Sequence, residues 1–356
     1  MKIIFVIPNL SAGGAERVIT ILANSFVERS IDVDILLLKN RETAYPISEK
    51  VNIVHLGMDL LFSSKLTACK MMRKYFRKEK QASEKLVLIP FLDVCLKRTL
   101  CASFGLNIPV IASERNDPNQ KGTSFIKKIK SNIPYMLATH CIFQTTGARN
   151  YYCRIVRNKS DIIMNPLSMA SDIQWKGQKS RRIISVGRLE PQKNQMLLIN
   201  AFSHIHKEYP DYKLEIYGEG SLRKQLQSRI NELNLKDAVY LCGCSSDIDS
   251  IMENALLFVL PSDYEGLSNA LIEALSIGMP VISTDHQCGG AGMLIKNGAN
   301  GMLIPVNDEY AMFNAMKRVI EDEKFALSIA ENARKIRKVL SVEKISNKWF
   351  DIISGL

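Results

Sequence analysis

Two glutamates, Glu265 and Glu273, have seven residues between them and lie on either side of a predicted helix start. Ser268 or Asn269 can cap this helix, so we expect the backbone N–H groups of residues 266–269 to face outward and to bind phosphate or another anion. Glu273 lies one turn below that anion site, where a carboxylate can hold a diol but repels phosphate. With Glu265 at the mouth, the segment predicts a site for a nucleotide-sugar.

The sequence around the two glutamates carries a family pattern. Residues 260–284 read LPSDYEGLSNALIEALSIGMPVIST. This segment resembles the E-x7-E signature of retaining glycosyltransferases of family 4, including its flanking P-S and G-x-P-V-I. The resemblance implies that Glu265 binds the hydroxyls of the donor sugar and Glu273 the ribose. It also implies a donor-binding set at the helix start: Gly266, Leu267, Ser268 and Asn269. The residues alone also allow a solvated loop charge at Glu265 and a surface helix residue at Glu273.

A pair of cations follows the first predicted strand of the second half, in the pattern Gly187-Arg188-Leu189 with Lys193 five residues after the arginine. Both cations are expected at the carboxyl end of that strand, where open α/β sheets bind ligands. A departing nucleotide diphosphate gains negative charge as the glycosidic bond breaks, so fixed positive charge there favours the transition state. The pattern resembles the diphosphate-binding segment of the family, which implies this role for Gly187, Arg188 and Lys193. A surface loop is the alternative.

Two glycine turns and one arginine complete the predicted site. The Gly13-Gly14 turn lacks the dinucleotide-binding fingerprint. In the family this loop reaches the donor, which implies that Gly14 binds the donor. A tight turn without a ligand is the alternative. Gly218 resembles the family loop that borders the nucleotide pocket, and a simple turn is again the alternative. Arg115 stands where many family members have a histidine near the reacting centre. Since arginine keeps its proton, it is an electrostatic residue on the acceptor side, or its position is not equivalent.

The order of elements predicts two α/β domains. A chain of 356 residues suits two cores of about 170 residues each. Strand, turn and helix units recur in both halves and indicate parallel, doubly wound sheets, separated by a polar linker at residues 168–182. The resemblance implies the GT-B fold, with two Rossmann-like domains that face a cleft. Residues 1–168 form the acceptor domain, residues 169–340 the nucleotide-sugar domain, and residues 341–356 a helix that crosses back to the first.

The positive charge is concentrated in the first half of the chain. Residues 1–168 contain 25 Lys and Arg against 13 Asp and Glu, whereas residues 169–356 contain 22 against 23. The densest stretch, from Lys65 to Lys80, predicts a basic amphipathic helix that lies on an anionic membrane surface, and residues 121–130 extend that surface. A merely solvated helix face is the alternative. No nucleic-acid motif accompanies the charge, so nucleic acid is not a predicted partner. The apolar residues at helical spacing are Leu66, Cys69, Met72 and Phe76.

No metal or other cofactor is predicted. The D-x-D triplets at residues 32–34 and 247–249 match the metal motif of another glycosyltransferase fold. The first, however, surrounds a buried-strand residue and the second lies at a helix start. Eight cysteines without paired spacing predict reduced thiols. The apolar N-terminus predicts a first buried strand rather than a signal peptide. A cytoplasmic protein, peripheral on the inner face of the cell membrane, is therefore expected.

Together these features imply a retaining glycosyltransferase. It is expected to move a hexose or an N-acetylhexosamine from a UDP-sugar to a lipid-linked or surface-polysaccharide acceptor, with GDP as the second choice of nucleotide. Two alternatives remain open: a nucleotide-sugar epimerase of the same fold, and a non-enzymatic module that binds nucleotide-sugar or lipid. The sequence does not indicate which sugar is transferred, which acceptor receives it or how many copies assemble.

Overall fold

The chain forms two compact units in a computed structural model that describes residues 1–11, 13–39, 43–56, 64–121, 124–167 and 173–356. The side chains of residues 65, 121 and 125 also lie outside this description. One unit contains Met1–Pro166 and Leu340–Leu356, and the other contains Leu167–Val339. The expected boundary at residues 168 and 169, and the first part of the expected linker, fall outside the described residues.

Parallel strands form the centre of the first unit. β1, β2 and β4 are almost entirely buried and apolar because helices cover both faces of a parallel sheet. The pairing order is β3-β2-β1-β4, and single parallel bridges connect β4 to a second sheet with the order β5-β6-β7. The strands are β1 (Lys2–Ile7), β2 (Asp32–Leu37), β3 (Asn52–His55), β4 (Leu86–Pro90), β5 (Ile111–Ser113), β6 (His140–Phe143) and β7 (Ser160–Ile162).

Helices alternate with these strands along the chain. Helix α2 packs against α3, and α3 packs against α4, so these three helices are neighbours in one layer. The helices are α1 (Gly14–Glu28), α2 (Lys65–Ala82), α3 (Asp93–Ser103), α4 (Phe125–Leu137), α5 (Thr146–Tyr151) and α6 (Arg154–Asn158).

The second unit contains a six-stranded parallel sheet with the order β10-β9-β8-β11-β12-β13. The order reverses between β8 and β11, and open α/β sheets bind ligands beyond the carboxyl ends of the strands at such a point. The strands are β8 (Arg182–Val186), β9 (Lys213–Tyr217), β10 (Val239–Gly243), β11 (Leu257–Leu260), β12 (Val281–Thr284) and β13 (Met302–Ile304). The helices are α7 (Gln195–Glu208), α8 (Arg223–Glu232), α9 (Ile248–Asn254), α10 (Asn269–Ile277), α11 (Gly290–Leu294), α12 (Glu309–Glu321) and α13 (Glu323–Ala333).

The last helix, α14 (Val342–Ser354), belongs to the first unit, where it packs against α1. Trp349 is fully buried and stacks with Phe91 at a ring-centroid distance of 6.0 Å. Arg29 donates a hydrogen bond to the Ser346 hydroxyl at 2.9 Å. These contacts connect the end of the chain to elements formed by its first hundred residues.

The three sheets are parallel, and helices separate most consecutive strands, which confirms the prediction of a two-domain, Rossmann-like α/β fold. The sequence prediction missed three short strands, β3, β7 and β13. Each has only three or four residues and is partly exposed, so it lacks the buried apolar run that marks the central strands.

Helix α2 directs its apolar face into the protein rather than outward. Cys69, Met72 and Phe76 are buried and Leu66, at the start of the helix, is 65% exposed, so most of the stripe expected to contact a membrane contributes to the core. Two of the cations also have internal partners: Arg73 donates to the Ala102 carbonyl oxygen at 3.2 Å, and Lys80 donates to that of Leu106. Across the described ranges, no helix combines the length and apolar character needed to cross a bilayer.

A buried charge network fixes α2 against the amino end of the first sheet. Lys2 Nζ lies 2.9 Å from Asp34 Oδ2 and 2.8 Å from Glu79 Oε2 on α2, while Tyr75 donates to Asp34. Burial lowers the pKa of Lys2, but hydrogen bonds to Glu79 and Asp34 outweigh it, so its pKa lies above the ordinary value. The resulting stabilisation is fully present below the unfolded-state pKa and is lost as the pH rises through the folded-state value.

Replacing Lys2 with Met is expected to destabilise the first unit by about 3–5 kcal/mol, because Asp34 and Glu79 remain buried without their cation. Lys97→Met is the control, since its pair with Asp93 is partly exposed and is worth about 0–1 kcal/mol. The measurement is urea unfolding followed by Trp349 fluorescence in a Trp175→Phe background, because each unit has one of the two tryptophans. Equal midpoints for the two variants would contradict this account.

Candidate active site

Glu265 and Lys193 form an ion pair beyond the carboxyl ends of β8 and β11, where the strand order of the six-stranded sheet reverses. Glu265 is only 7% exposed. Its carboxylate accepts hydrogen bonds from Lys193 Nζ, from the Ser262 hydroxyl at 3.0 Å and from Gln192 Nε2 at 3.3 Å. Glu265 is therefore not a solvated loop charge, and the two residues predicted to act on the donor contact each other.

Side chains on the two loops set the position of Lys193. The residue ends a short 3-10 turn, Pro191–Lys193, and Asn194 follows in the left-handed conformation with φ 44°. Asn194 caps α7 through Leu197 N–H and donates to Asp263 Oδ1 at 2.6 Å. Gln192 donates to the Tyr264 carbonyl oxygen at 3.0 Å. The loop after β8 is thus bonded to the loop after β11 on both sides of the lysine.

Arg188 precedes Lys193 by five residues, but its side chain is exposed, whereas Glu265 is buried. The Arg188 guanidinium has no hydrogen-bond or salt-bridge partner among the residues that the structure describes. A Cβ at Gly187 would lie 3.4 Å from the Lys193 stem, so the glycine lets the lysine cross the loop closely. One cation is therefore paired and the other is available to a ligand.

Glycines allow the loop after β9 to contact the loop after β8. Gly218 has φ +139°, and a Cβ there would lie 2.1 Å from the Gly187 carbonyl oxygen. A Cβ at Gly220 would lie 2.3 Å from the Leu189 carbonyl oxygen. Both positions need glycine for close backbone approach. Gly218 therefore supports the loop that carries the predicted cations.

Helix α10 begins and ends as the sequence predicts. The Ser268 hydroxyl accepts from Leu271 N–H, and Gly278 ends the helix in the left-handed conformation with φ 78°. Glu273 is 5% exposed, so it is not a surface helix residue. The predicted donor-binding residues Gly266 and Leu267 are buried, while Ser268 and Asn269 are partly exposed at the helix start.

Two predicted site residues, Gly14 and Arg115, lie in the first unit. Gly14 is the exposed first residue of α1, beyond the carboxyl end of β1. Arg115 is buried: its guanidinium carbon lies 4.3 Å from the Phe91 ring centroid and 5.4 Å from that of Trp349. It donates to Asn165 Oδ1 at 3.1 Å. Burial lowers the pKa of Arg115, and the negative charge of Glu114 raises it in part, which leaves a pKa of about 9. The side chain therefore remains charged at neutral pH.

Sequence reasoning overlooked the buried carboxylate of Glu114, next to Arg115. Its Oε2 accepts from the hydroxyls of Tyr135 and Tyr152 at 2.7 and 2.9 Å, and its Oε1 accepts from the backbone N–H of Arg115 at 3.1 Å. Burial, together with the Glu114 charge, raises the pKa of both tyrosines well above the ordinary value. This network shapes the loop after β5 and surrounds Arg115, whose predicted role on the acceptor side remains a prediction.

The second unit also contains three polar residues near the ion pair that were not predicted: Gln192, Asn194 and Ser262. Each is uncharged and makes at least one of the contacts that hold Lys193 or Glu265. The available signal was their position, since all three follow a predicted strand that ends at the same edge of the sheet.

The aspartates of the two D-x-D triplets occupy positions that the fold itself explains. Asp34 is engaged with Lys2, Tyr75 and Asn52, and Asp247 precedes the first turn of α9. Within the described ranges there is no group of three His, Cys, Asp or Glu side chains with a metal-binding arrangement. The expectation that the protein uses no metal remains a prediction.

Comparison with known proteins shows what the second unit is similar to. Residues 171–336 match the family model described as glycosyl transferases group 1. This matched segment lies within the second unit, which is therefore similar to group 1 glycosyl transferases. The match includes the ion pair, the glycine loops and α10. The prediction that the protein is an enzyme, a glycosyltransferase, is confirmed.

Similar proteins extend the comparison to the whole chain. The GalNAc-α-(1→4)-GalNAc-α-(1→3)-diNAcBac-PP-undecaprenol α-1,4-N-acetyl-D-galactosaminyltransferase of Campylobacter jejuni is 28% identical over 99% of this chain and 98% of its own. The Escherichia coli UDP-Gal:α-D-GlcNAc-diphosphoundecaprenol α-1,3-galactosyltransferase is 34% identical over 47% of this chain and 45% of its own. The crystal structure of Anabaena HepE with UDP and glucose matches 100% of both chains with a TM-score of 0.82 at 19% identity. This structural similarity confirms the GT-B fold.

Gly290→Ala is expected to weaken the affinity for the nucleotide part of the donor about tenfold, a loss of about 1.4 kcal/mol. A Cβ at Gly290 would lie 1.9 Å from the Gly266 carbonyl oxygen and must displace the loop that leads into α10. Gly292→Ala is the matched control, because its Cβ would meet only the Asp285 side chain, at 3.3 Å. Titration calorimetry with UDP compares the two variants, with circular dichroism to verify folding. Equal affinity in both would contradict a role for this loop in nucleotide binding.

Proposed function

We propose that the protein transfers a hexose or an N-acetylhexosamine from a UDP-sugar, with retention of anomeric configuration, to a lipid-linked or surface-polysaccharide acceptor. In this proposal it acts as a peripheral protein on the cytoplasmic face of the membrane. The observation that carries the proposal is the ion pair between Lys193 and Glu265 at the point where the strand order of the six-stranded sheet reverses.

The proposed chemistry follows from what a diphosphate does to this pair. Without a ligand, Lys193 neutralises a buried carboxylate, and the attraction between charges 4 Å apart is about 4 kcal/mol near a protein surface. A diphosphate competes for the lysine and recruits the exposed Arg188. Both cations then stabilise the negative charge that develops on the leaving group. Glu265, which loses part of its contact with Lys193, accepts hydrogen bonds from the hydroxyls of the transferred sugar.

The donor part of the proposal assigns the nucleotide to α10. Glu273 holds the ribose diol, and the backbone of Gly266, Leu267 and Ser268, with Asn269, receives the pyrophosphate at the start of the helix. Gly14, Gly187 and Gly218 allow backbone to approach the donor closely. UDP is the preferred nucleotide because the E. coli relative is named for UDP-Gal and HepE was crystallised with UDP.

The acceptor part rests on the relatives and on charge. The C. jejuni and E. coli relatives are both named for saccharides on undecaprenol diphosphate. The first unit of this chain, with its excess of Lys and Arg, suits an acceptor presented at an anionic lipid surface. Retention follows from the family resemblance, in which a donor phosphate oxygen takes the proton of the acceptor hydroxyl. This path requires no protein base, consistent with an arginine at position 115.

Lys193→Met is expected to lower kcat by about 10²–10³, the usual cost of removing one group that stabilises transition-state charge. Lys224→Met is the control, because Lys224 is an exposed lysine on α8 in the same unit. Transfer is measured with UDP- and GDP-sugars and a polyprenyl-diphosphate saccharide in detergent, and the product anomer is assigned by NMR.

Two results would overturn the proposal. Equal kcat in the two variants would remove Lys193 from the chemistry. Release of free epimerised donor without any transferred product would favour the epimerase alternative.

A further inference from the structure

Helix α4 presents an apolar side to solvent. Five of its residues, spaced so that they lie along one face, are between 39% and 68% exposed: Ile126, Ile129, Ile133, Met136 and Leu137. Ile155, on the neighbouring helix α6, is also exposed. A surface helix normally directs such a stripe into the core. These six exposed apolar residues, on two helices that contact each other, are referred to below as the α4 patch.

The inner side of α4 is polar, so the orientation of the helix is fixed by specific contacts. The Tyr135 hydroxyl donates to the carboxylate of Glu114 at 2.7 Å. Asn132 Oδ1 accepts from the backbone N–H of Cys153 at 2.7 Å. Rotating the helix to bury its isoleucines would expose Tyr135 and break the bond to Cys153. The apolar face is therefore held outward by the fold.

Positive charge borders the α4 patch. Lys127, Lys130 and Arg154 are exposed beside it. Helix α2, in the same helical layer, adds exposed cations spaced along one face: Lys70, Lys74, Arg77 and Lys78. An apolar face with lysines at its edge is typical of a helix that lies in the headgroup region of an anionic bilayer. A second copy is a poor occupant, because a twofold contact brings the same lysines face to face.

We infer that α4 is the element that enters the membrane surface, with the α4 patch among the acyl chains and Lys127, Lys130 and Arg154 at anionic headgroups. This inference rests on the proposed function, which places the protein at a membrane. It also moves the apolar contact away from α2, where Cys69, Met72 and Phe76 are buried and only Leu66 of the apolar stripe is exposed. Helix α2 contributes charge alone.

The test compares binding of the purified full chain to vesicles of phosphatidylglycerol and phosphatidylcholine with binding to phosphatidylcholine alone. Ile129→Gln with Ile133→Gln removes apolar surface without a change of charge and is expected to lower the partition coefficient about tenfold or more. Leu327→Gln is the control, because Leu327 is a leucine of the second unit that is 38% exposed on a helix. Lys127→Gln with Lys130→Gln is expected to remove most of the preference for anionic vesicles.

Three results would overturn the inference. The first is wild-type binding by the Ile129→Gln, Ile133→Gln variant, and the second is loss of binding in Lys70→Gln with Lys74→Gln but not in the α4 variants. The third is a lipid-free dimer, detected by sedimentation velocity, that the isoleucine changes dissociate.

Donor hydrolysis without lipid tests the proposed function separately. The isoleucine variant is expected to hydrolyse donor at the wild-type rate. A chain that binds vesicles through α4 but hydrolyses no donor would retain this inference and refute the proposed function.

Discussion

The buried carboxylate of Glu265 is the constraint on which the second unit depends. An ionised carboxylate withdrawn from water costs several kcal/mol unless cations and hydrogen-bond donors surround it. Lys193, Ser262 and Gln192 supply these partners, and all come from the loops after β8 and β11. A parallel sheet whose order reverses between those strands brings the two loops together. The fold therefore places an acid and a cation in contact at the position where α/β sheets bind ligands.

The first unit uses buried charge for a different purpose. Glu114 fixes the loop after β5, and Lys2 fixes α2 to the amino end of the sheet through Asp34. In both networks the charged group is satisfied by neighbours within the unit. In the first unit, most of the apolar stripe of α2 is therefore internal, whereas that of α4 is external.

The sequence predicted those features that depend on local signals. The cap at Ser268, the end of α10 at Gly278 and the central strands follow from cap residues, left-handed glycine and apolar runs. The contact between Lys193 and Glu265 could not be predicted in this way, because the two residues are 72 positions apart and meet only through the order of the strands.

The direction in which the apolar faces of α2 and α4 point also could not be predicted from the sequence. A stripe at helical spacing has the same period on a sheet and on a membrane, so the pattern of Met72 and Phe76 could not show that α2 is packed inward. In α4 the deciding contact is between Tyr135 and Glu114, residues from different elements. Long-range partners decided the orientation of both helices, whereas composition correctly placed the positive charge in the first unit.

The most direct test of the central claim is a crystal structure of the protein with bound UDP. The account predicts that Lys193 Nζ lies within hydrogen-bonding distance of a diphosphate oxygen beyond the carboxyl ends of β8 and β11, with Glu265 directed toward the position of the sugar. A diphosphate bound elsewhere, with the contact between Lys193 and Glu265 unchanged, would contradict it.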